Sequence, residues 1–166
     1  MTETPPLRAA WSKIGEQAEV PITGNRDKRV LWGTLNPATG EILLSWSLKW
    51  NKIAFQEFLR RIRSHWRGWN IVLFLDKGSP HTAQRSRKLA EELGIELRWL
   101  PTACPELNPL EGLWRCGKKE VLANAPTLSM DASLAELCEW ILSLSPRERL
   151  RKAGVLSGRF WLKDIL

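Results

Sequence analysis

An unbroken run of apolar, β-branched and aromatic residues, Ile71 to Leu75, ends at a single carboxylate, Asp76, and this stretch limits the chain to few folds. Such a run suits a strand buried on both faces. Gly78 and Pro80 break it. Ala83 to Leu93 then places Ala83, Leu89, Ala90 and Leu93 on one helical face with Arg85, Arg87 and Lys88 outside, and Gly94 ends the helix. Ile95 to Leu100 alternates Ile95, Leu97 and Trp99 against Glu96 and Arg98, as a half-buried strand does, and Pro101 closes it. Strand, helix, strand is a βαβ unit, whose crossover lays the two strands parallel and right-handed. The carboxyl ends of both strands then point to one sheet edge, and Glu111, just past the second strand, is expected to reach the region of Asp76.

Each acid also has a plain explanation. Asn108 is a good helix N-cap, Pro109 suits the first helical position, and Glu111 at the third completes a capping box. Asp76 suits a turn that ends a strand. Two acids brought to one edge differ from either alone, because together they can share a hard divalent cation, which takes oxygen ligands.

LDKGSPH followed by LPTACPELNPLEGLW resembles the catalytic core of DDE-type transposases, in particular the mariner-like bacterial insertion-sequence family, whose fold is shared with retroviral integrases. In that family the second acid ends a strand and is followed by a histidine, here Asp76 and His81, and the third is the Glu of an ELNPxE segment before a Trp, here Glu111 and Trp114. The spacing between the acids also fits. PPLRAAW, GTLNPATGE and FQEFLRRI resemble further family segments, so the likeness spans the chain. It implies an α/β, RNase H-like mixed sheet flanked by helices, and a two-metal site using Mg²⁺ or Mn²⁺. Asp76 and Glu111 would each hold one ion, and His81 would position the scissile phosphate or orient water; an ordinary turn residue is the alternative for His81. Lys77 departs from the Asn common after the second acid.

One part of the pattern has no match. The family's first Asp ends a strand upstream of the PPLRAAW-like segment, and Glu3, the only acid before Pro5, follows no strand-like run. The expectation is a single catalytic domain over residues 1–166, truncated at its N-terminus and without its central first strand or a helix-turn-helix domain. A separate or frameshifted upstream product would supply the missing Asp.

Outside the βαβ unit, Arg29–Leu35 and Glu41–Leu48 form a hairpin about NPATG, with Trp32, Leu35, Ile42, Leu44 and Trp46 as its packing residues. Asn51 caps a helix to about Trp66, with Phe55, Phe58, Leu59, Ile62 and Trp66 inward and Lys52, Arg60, Arg61 and Arg63 outward. Asp131–Leu144 is amphipathic through Leu134, Leu137, Cys138, Ile141 and Leu142. Pro146–Lys152 forms a short helix exposing Arg147, Arg149 and Arg151, and the tail from Phe160 is apolar enough to dock.

The chain has 25 Lys and Arg against 18 Asp and Glu, a formal charge of +7, which suits a polyanionic partner or simply a basic surface. Arg115, Lys118 and Lys119 continue the Glu111 helix and, with Lys77, are the expected DNA contacts; cations placed toward a helix C-terminus are the alternative. Cys104, Cys116 and Cys138 form no CxxC pair and read as reduced thiols. No apolar run approaches a membrane span. The partners that the resemblance implies are DNA, an upstream transposase fragment and a second copy in an active homodimer, in the cytoplasm at the nucleoid. Two other readings stand beside this one: a non-catalytic basic protein of the same fold that binds DNA or a transposase, and an unrelated metal nuclease drawing a further acid from Glu3, Asp27 or Glu41.

Overall fold

Alternation along two short strands and a turn between them builds the first unit of the computed structural model, which describes residues 28–123 and 129–162. Strand β1 (Val30–Leu35) pairs antiparallel with β2 (Ile42–Ser47), Leu35 opposite Ile42 and Val30 opposite Ser47. Asn36 sets the turn: its side-chain oxygen accepts from the Ala38 and Thr39 amides, and its backbone carbonyl from Gly40. The expected packing stripe divides between two faces, since Trp32 and Leu35 lie an odd number of residues apart. Trp32 joins the cluster under the first helix, whereas Leu35, Ile42 and Leu44 join a second cluster on the opposite face. Trp46 is a correction. It is 54% exposed, because the helix that covers this second face packs over Gly33 and Leu44 and leaves the strand end open.

Helix α1 (Lys52–His65) starts where expected, its Asn51 oxygen accepting from the Ala54 amide at 2.9 Å, and all five inward positions are buried. Strand β3 (Ile71–Leu75) runs parallel to β4 (Ile95–Trp99) in register Ile71 to Ile95. The crossover holds two helices. Ala83, with ψ at 131°, separates the short α2 (Ser79–Thr82) from α3 (Gln84–Glu92), and Gly94 at φ 65° stops α3 as expected. Ile71, Leu73 and Leu75 pack with α1, while Phe74 faces the C-terminal segment. Val72, expected buried, is 43% exposed on that second face, because the C-terminal segment covers only Phe74.

Helix α4 (Pro109–Gly117) continues into one π turn, Lys118–Leu122; α5 (Met130–Ser143) and α6 (Pro146–Lys152) follow. Leu134 is buried, and Leu137 and Ile141 are buried against α4; Leu142, expected inward, is 53% exposed because it lies one position round from Ile141. Helices thus cover both faces of β1–β2 and one face of β3–β4. Among the described residues the strands form two separate two-stranded sheets, and a single apolar cluster built on α1 spans both. The tail docks: Phe160 and Leu162 are buried with Leu150, Ala153 and Val155. Residues 1–27, with Glu3, Asp27 and PPLRAAW, lie outside the described residues.

Arg149 also corrects an expectation. Its guanidinium donates to the carbonyls of Ile141 and Leu142 at the end of α5 and of Gly40 in the hairpin turn, at 3.0, 2.7 and 3.3 Å. The charge thereby answers orphan helix carbonyls and ties three elements together. Arg149→Ala is expected to cost about 2 kcal/mol, read as a lower urea midpoint at unchanged slope.

Two carboxylates secure helix starts. The Arg29 guanidinium, at 2.8 Å, holds Asp131 at the start of α5 below the ordinary carboxylate range, and the Ser145 hydroxyl and amide do the same for Glu148 in the capping box of α6. A lowered folded pKa means that this stabilisation is present above the unfolded value and is lost as pH falls through the folded one. Amide exchange in the first turns of α5 and α6 is expected to accelerate selectively below about pH 4. Both acids are solvent-facing, so added salt should shrink the effect for Asp131.

Candidate metal and nucleic-acid site

Asp76 is placed by the strand before it and the turn after it. It directly follows β3, and β3 is tied to the start of the next loop by the Leu100 amide donating to the Leu75 carbonyl at 2.9 Å. One carboxylate oxygen, Oδ1, accepts from the Gly78 amide at 3.0 Å and from Nδ1 of His81 at 2.7 Å. The side chain is nevertheless 66% exposed, so the second oxygen faces solvent. His81 differs sharply. Its ring is buried, 4.5 Å from Phe55 and 5.1 Å from Trp50 between centroids.

Glu111 sits in the first turn of α4, where a carboxylate is favoured by the helix dipole. The capping box does not form. Cys104 to Asn108 makes a tight turn in which the Asn108 amide donates to the Pro105 carbonyl, so no donor remains there for Glu111, and the Asn108 side chain accepts from Leu110 instead. Glu111 is exposed and has no hydrogen bond or ion pair to another described side chain. Ala103 in the same loop adopts φ 59°, a conformation costly for a residue with a Cβ.

The position of α4 is set by close packing. Trp114 lies on Gly33, where a Cβ would stand 2.7 Å from the indole, and Gly112 faces the Lys152 carbonyl, where a Cβ would stand 2.9 Å from the oxygen. Trp161 links the loop before α4 to β3: its indole donates to the Leu107 carbonyl and meets the Phe74 ring edge-on. Gly33→Ala is therefore expected to push Trp114 and tilt α4, costing about 1–3 kcal/mol, with the Glu111 amide resonance shifting more than that of Asp76.

Two exposed carboxylates are the right donors in kind for a hard cation, and Mg²⁺ is commonly held by one or two carboxylates with substrate phosphates and water completing its shell. A second, bridged ion needs another acid, and among the described residues no group of three His, Cys, Asp or Glu side chains is arranged for a metal. Glu41 is occupied elsewhere, with one oxygen 2.9 Å from His65 Nε2 and the other accepting from the Trp66 indole. Lys77, Arg115, Lys118 and Lys119 are all solvent-facing. A cleft along α3 and β4, lined by Gln84, Arg87, Glu91 and Trp99 among others, touches neither acid. Both acids stand on open surface. Cys104, Cys116 and Cys138 are free thiols, and burial pushes that of Cys138 upward. No described helix is long and apolar enough to cross a membrane.

Solved structures confirm the architecture. The chain superposes on the Mos1 transposase paired-end complex with left transposon end at a TM-score of 0.70, with 18% identity, over 96% of this chain and 50% of that one. Against the Mos1 transposase catalytic domain with raltegravir and Mg the TM-score is 0.55, with 18% identity, over 74% of this chain and 67% of that one. The fold is the RNase H-like fold of transposase catalytic domains. In sequence, the chain is 24% identical over 144 residues to the insertion element IS630 uncharacterized 39 kDa protein of Shigella sonnei, which covers 86% of this chain and 42% of that protein. The chain thus spans less than half the length of this curated relative. The family model described as DDE superfamily endonuclease matches residues 1–132, and the chain belongs to that family.

Proposed function

We propose that this chain contributes Asp76 and Glu111 to a divalent-metal centre that cleaves and joins DNA strands in insertion-sequence transposition. The observation that carries the reading is the pair of solvent-facing carboxylates following the two parallel strands of a DDE-family fold, both with lone pairs that no group among the described residues uses. A bound Mg²⁺ or Mn²⁺ supplies Lewis-acid stabilisation of charge on the phosphate and activates the attacking oxygen. Asp76, through its outward oxygen, and Glu111 would hold it. The further acid that completes a two-ion site comes from sequence outside the described groups or from a partner polypeptide, and the active assembly is a homodimer on DNA at the nucleoid. Lys77, Arg115, Lys118 and Lys119 bind the phosphate backbone without reading bases.

Mn²⁺ titration with paramagnetic broadening tests the metal reading. The amides of residues 76–78 and 110–112 should broaden at low Mn²⁺, and Asp76→Asn or Glu111→Gln should each weaken the effect. Equal broadening in the double variant refutes it. For the basic residues, replacing Lys118 with Ala should lower the slope of log affinity against log salt by about 0.9 on duplex DNA.

A second reading has one observation in its favour, the lack of a three-acid group among the described residues. The chain is then a non-catalytic binder of DNA or of a transposase, and its DNA affinity is indifferent to EDTA and to Asp76→Asn.

A further inference from the structure

A residue that meets substrate needs an exposed reactive edge, yet His81 is only 8% exposed and its Nδ1 is turned back onto the chain. An ionised carboxylate only accepts hydrogen bonds, so Nδ1 carries the proton and donates to Asp76 Oδ1 at 2.7 Å, with the Asp76 carbonyl at 3.2 Å as a second acceptor. The Gly78 amide, donating to the same Oδ1 at 3.0 Å, leaves Oδ2 as the oxygen without a protein partner among the described residues.

The ring itself is gripped. Phe55 tilts against it at 4.5 Å, Trp50 meets it edge-on at 5.1 Å, and Trp32 stacks behind Trp50 at 4.6 Å with the planes 8° apart. Trp50 is 47% exposed and reaches over the turn: a Cβ on Gly78 would stand 3.0 Å from Trp50 Cζ2, 3.0 Å from Asp76 Oδ1 and 3.2 Å from His81 Nδ1. Turn, acid, histidine and indole therefore meet at one point.

We propose that His81 is a positioning residue, clamped by Trp50 and Phe55, that fixes Asp76 in one rotamer with Oδ2 outward, so that the acid meets a cation through that single oxygen. The assignment deepens the metal reading above and rests on it for its functional consequence. A surface aspartate otherwise exchanges among staggered rotamers, and each exchange would move the metal-facing oxygen. Fixing it beforehand removes that cost from binding, which is how hydrogen-bonded partners of metal-holding groups commonly act.

The test reads Asp76 directly in the full chain through its Hα–Hβ three-bond couplings. The wild type should show one rotamer. His81→Leu, which keeps bulk and removes the donor, should average the couplings, whereas His81→Asn, whose amide N–H stands near the Nδ1 position, should restore one rotamer. Trp50→Ala should average them with His81 still present. Mn²⁺ affinity is then expected to fall about 10–100-fold in His81→Leu. Averaged couplings in the wild type, or wild-type couplings in His81→Leu, overturn the proposal, and unchanged couplings in Trp50→Ala remove Trp50 from it. Should His81→Leu fail to fold, His81→Asn and Trp50→Ala still decide. If the wild type binds no Mn²⁺, the metal reading falls, while the couplings separately decide whether His81 positions Asp76.

Discussion

Asp76→Asn and Glu111→Gln are each expected to reduce Mg²⁺- or Mn²⁺-dependent strand cleavage by about a thousandfold or more. Metal-held charge stabilisation is worth several kcal/mol at the transition state, and each 1.36 kcal/mol is about tenfold in rate. The surroundings make these substitutions informative. An Asn at position 76 can still accept from the Gly78 amide and from His81 Nδ1, and a Gln at position 111 loses no protein partner, so the fold is left alone while the charge is removed. Nicking of supercoiled plasmid is the measurement. The thermal midpoint should move by no more than about 2 °C, since both sites are on the surface. Cleavage surviving in both variants at the wild-type rate would falsify the assignment of these acids.

Gly40→Ala should be the most damaging small substitution for stability. Gly40 has φ 75°, which costs an alanine about 1–2 kcal/mol. An added Cβ would also stand 2.5 Å from the Pro146 carbonyl oxygen and 2.8 Å from its carbon, and overpacking against backbone adds about 1–3 kcal/mol. Gly40 further lends its carbonyl to Arg149. Together about 3 kcal/mol is expected, a fall in thermal midpoint of about 6–12 °C for a chain of this size. Gly68→Ala separates the two causes. Gly68 has φ 83° but nothing within 4 Å of its Cβ position, so only the conformational part, about 1 kcal/mol, should appear. Equal losses at the two positions would show that the hairpin turn does not rest on α6.

Local signals were read correctly from sequence where one element decides its own outcome. The period of Phe55, Phe58, Leu59 and Ile62 with Asn51 ahead of them defines α1, and the run to Asp76 with the alternation from Ile95 defines the parallel pair. Errors gathered where the answer depends on how far a distant element reaches. Trp46 and Leu142 carry the right period for burial, but nothing local says that α4 stops short of one or that α5 turns the other outward. Glu111 has the spacing of a capping box, which fails because the Asn108 amide already donates to the Pro105 carbonyl in the preceding turn. For the site, Asp76 and Glu111 were legible as acids placed after parallel strands. The burial of His81 was not, since its enclosing rings, Trp50 and Phe55, come from just before and within α1, on the far side of β3 in the chain. Arg149 carries the sequence signature of an exposed cation for the same reason: its carbonyl partners are fixed by tertiary packing.

The separation of the strands into two pairs has a mechanical consequence. Among the described residues no backbone ladder crosses from β1–β2 to β3–β4, and the joint is made of side chains gathered under α1. Among the described residues, shear along that seam stretches van der Waals contacts and breaks no amide pairing, which makes it the compliant direction of this part of the domain. Force applied across the seam should part the two ribbons before either one unzips.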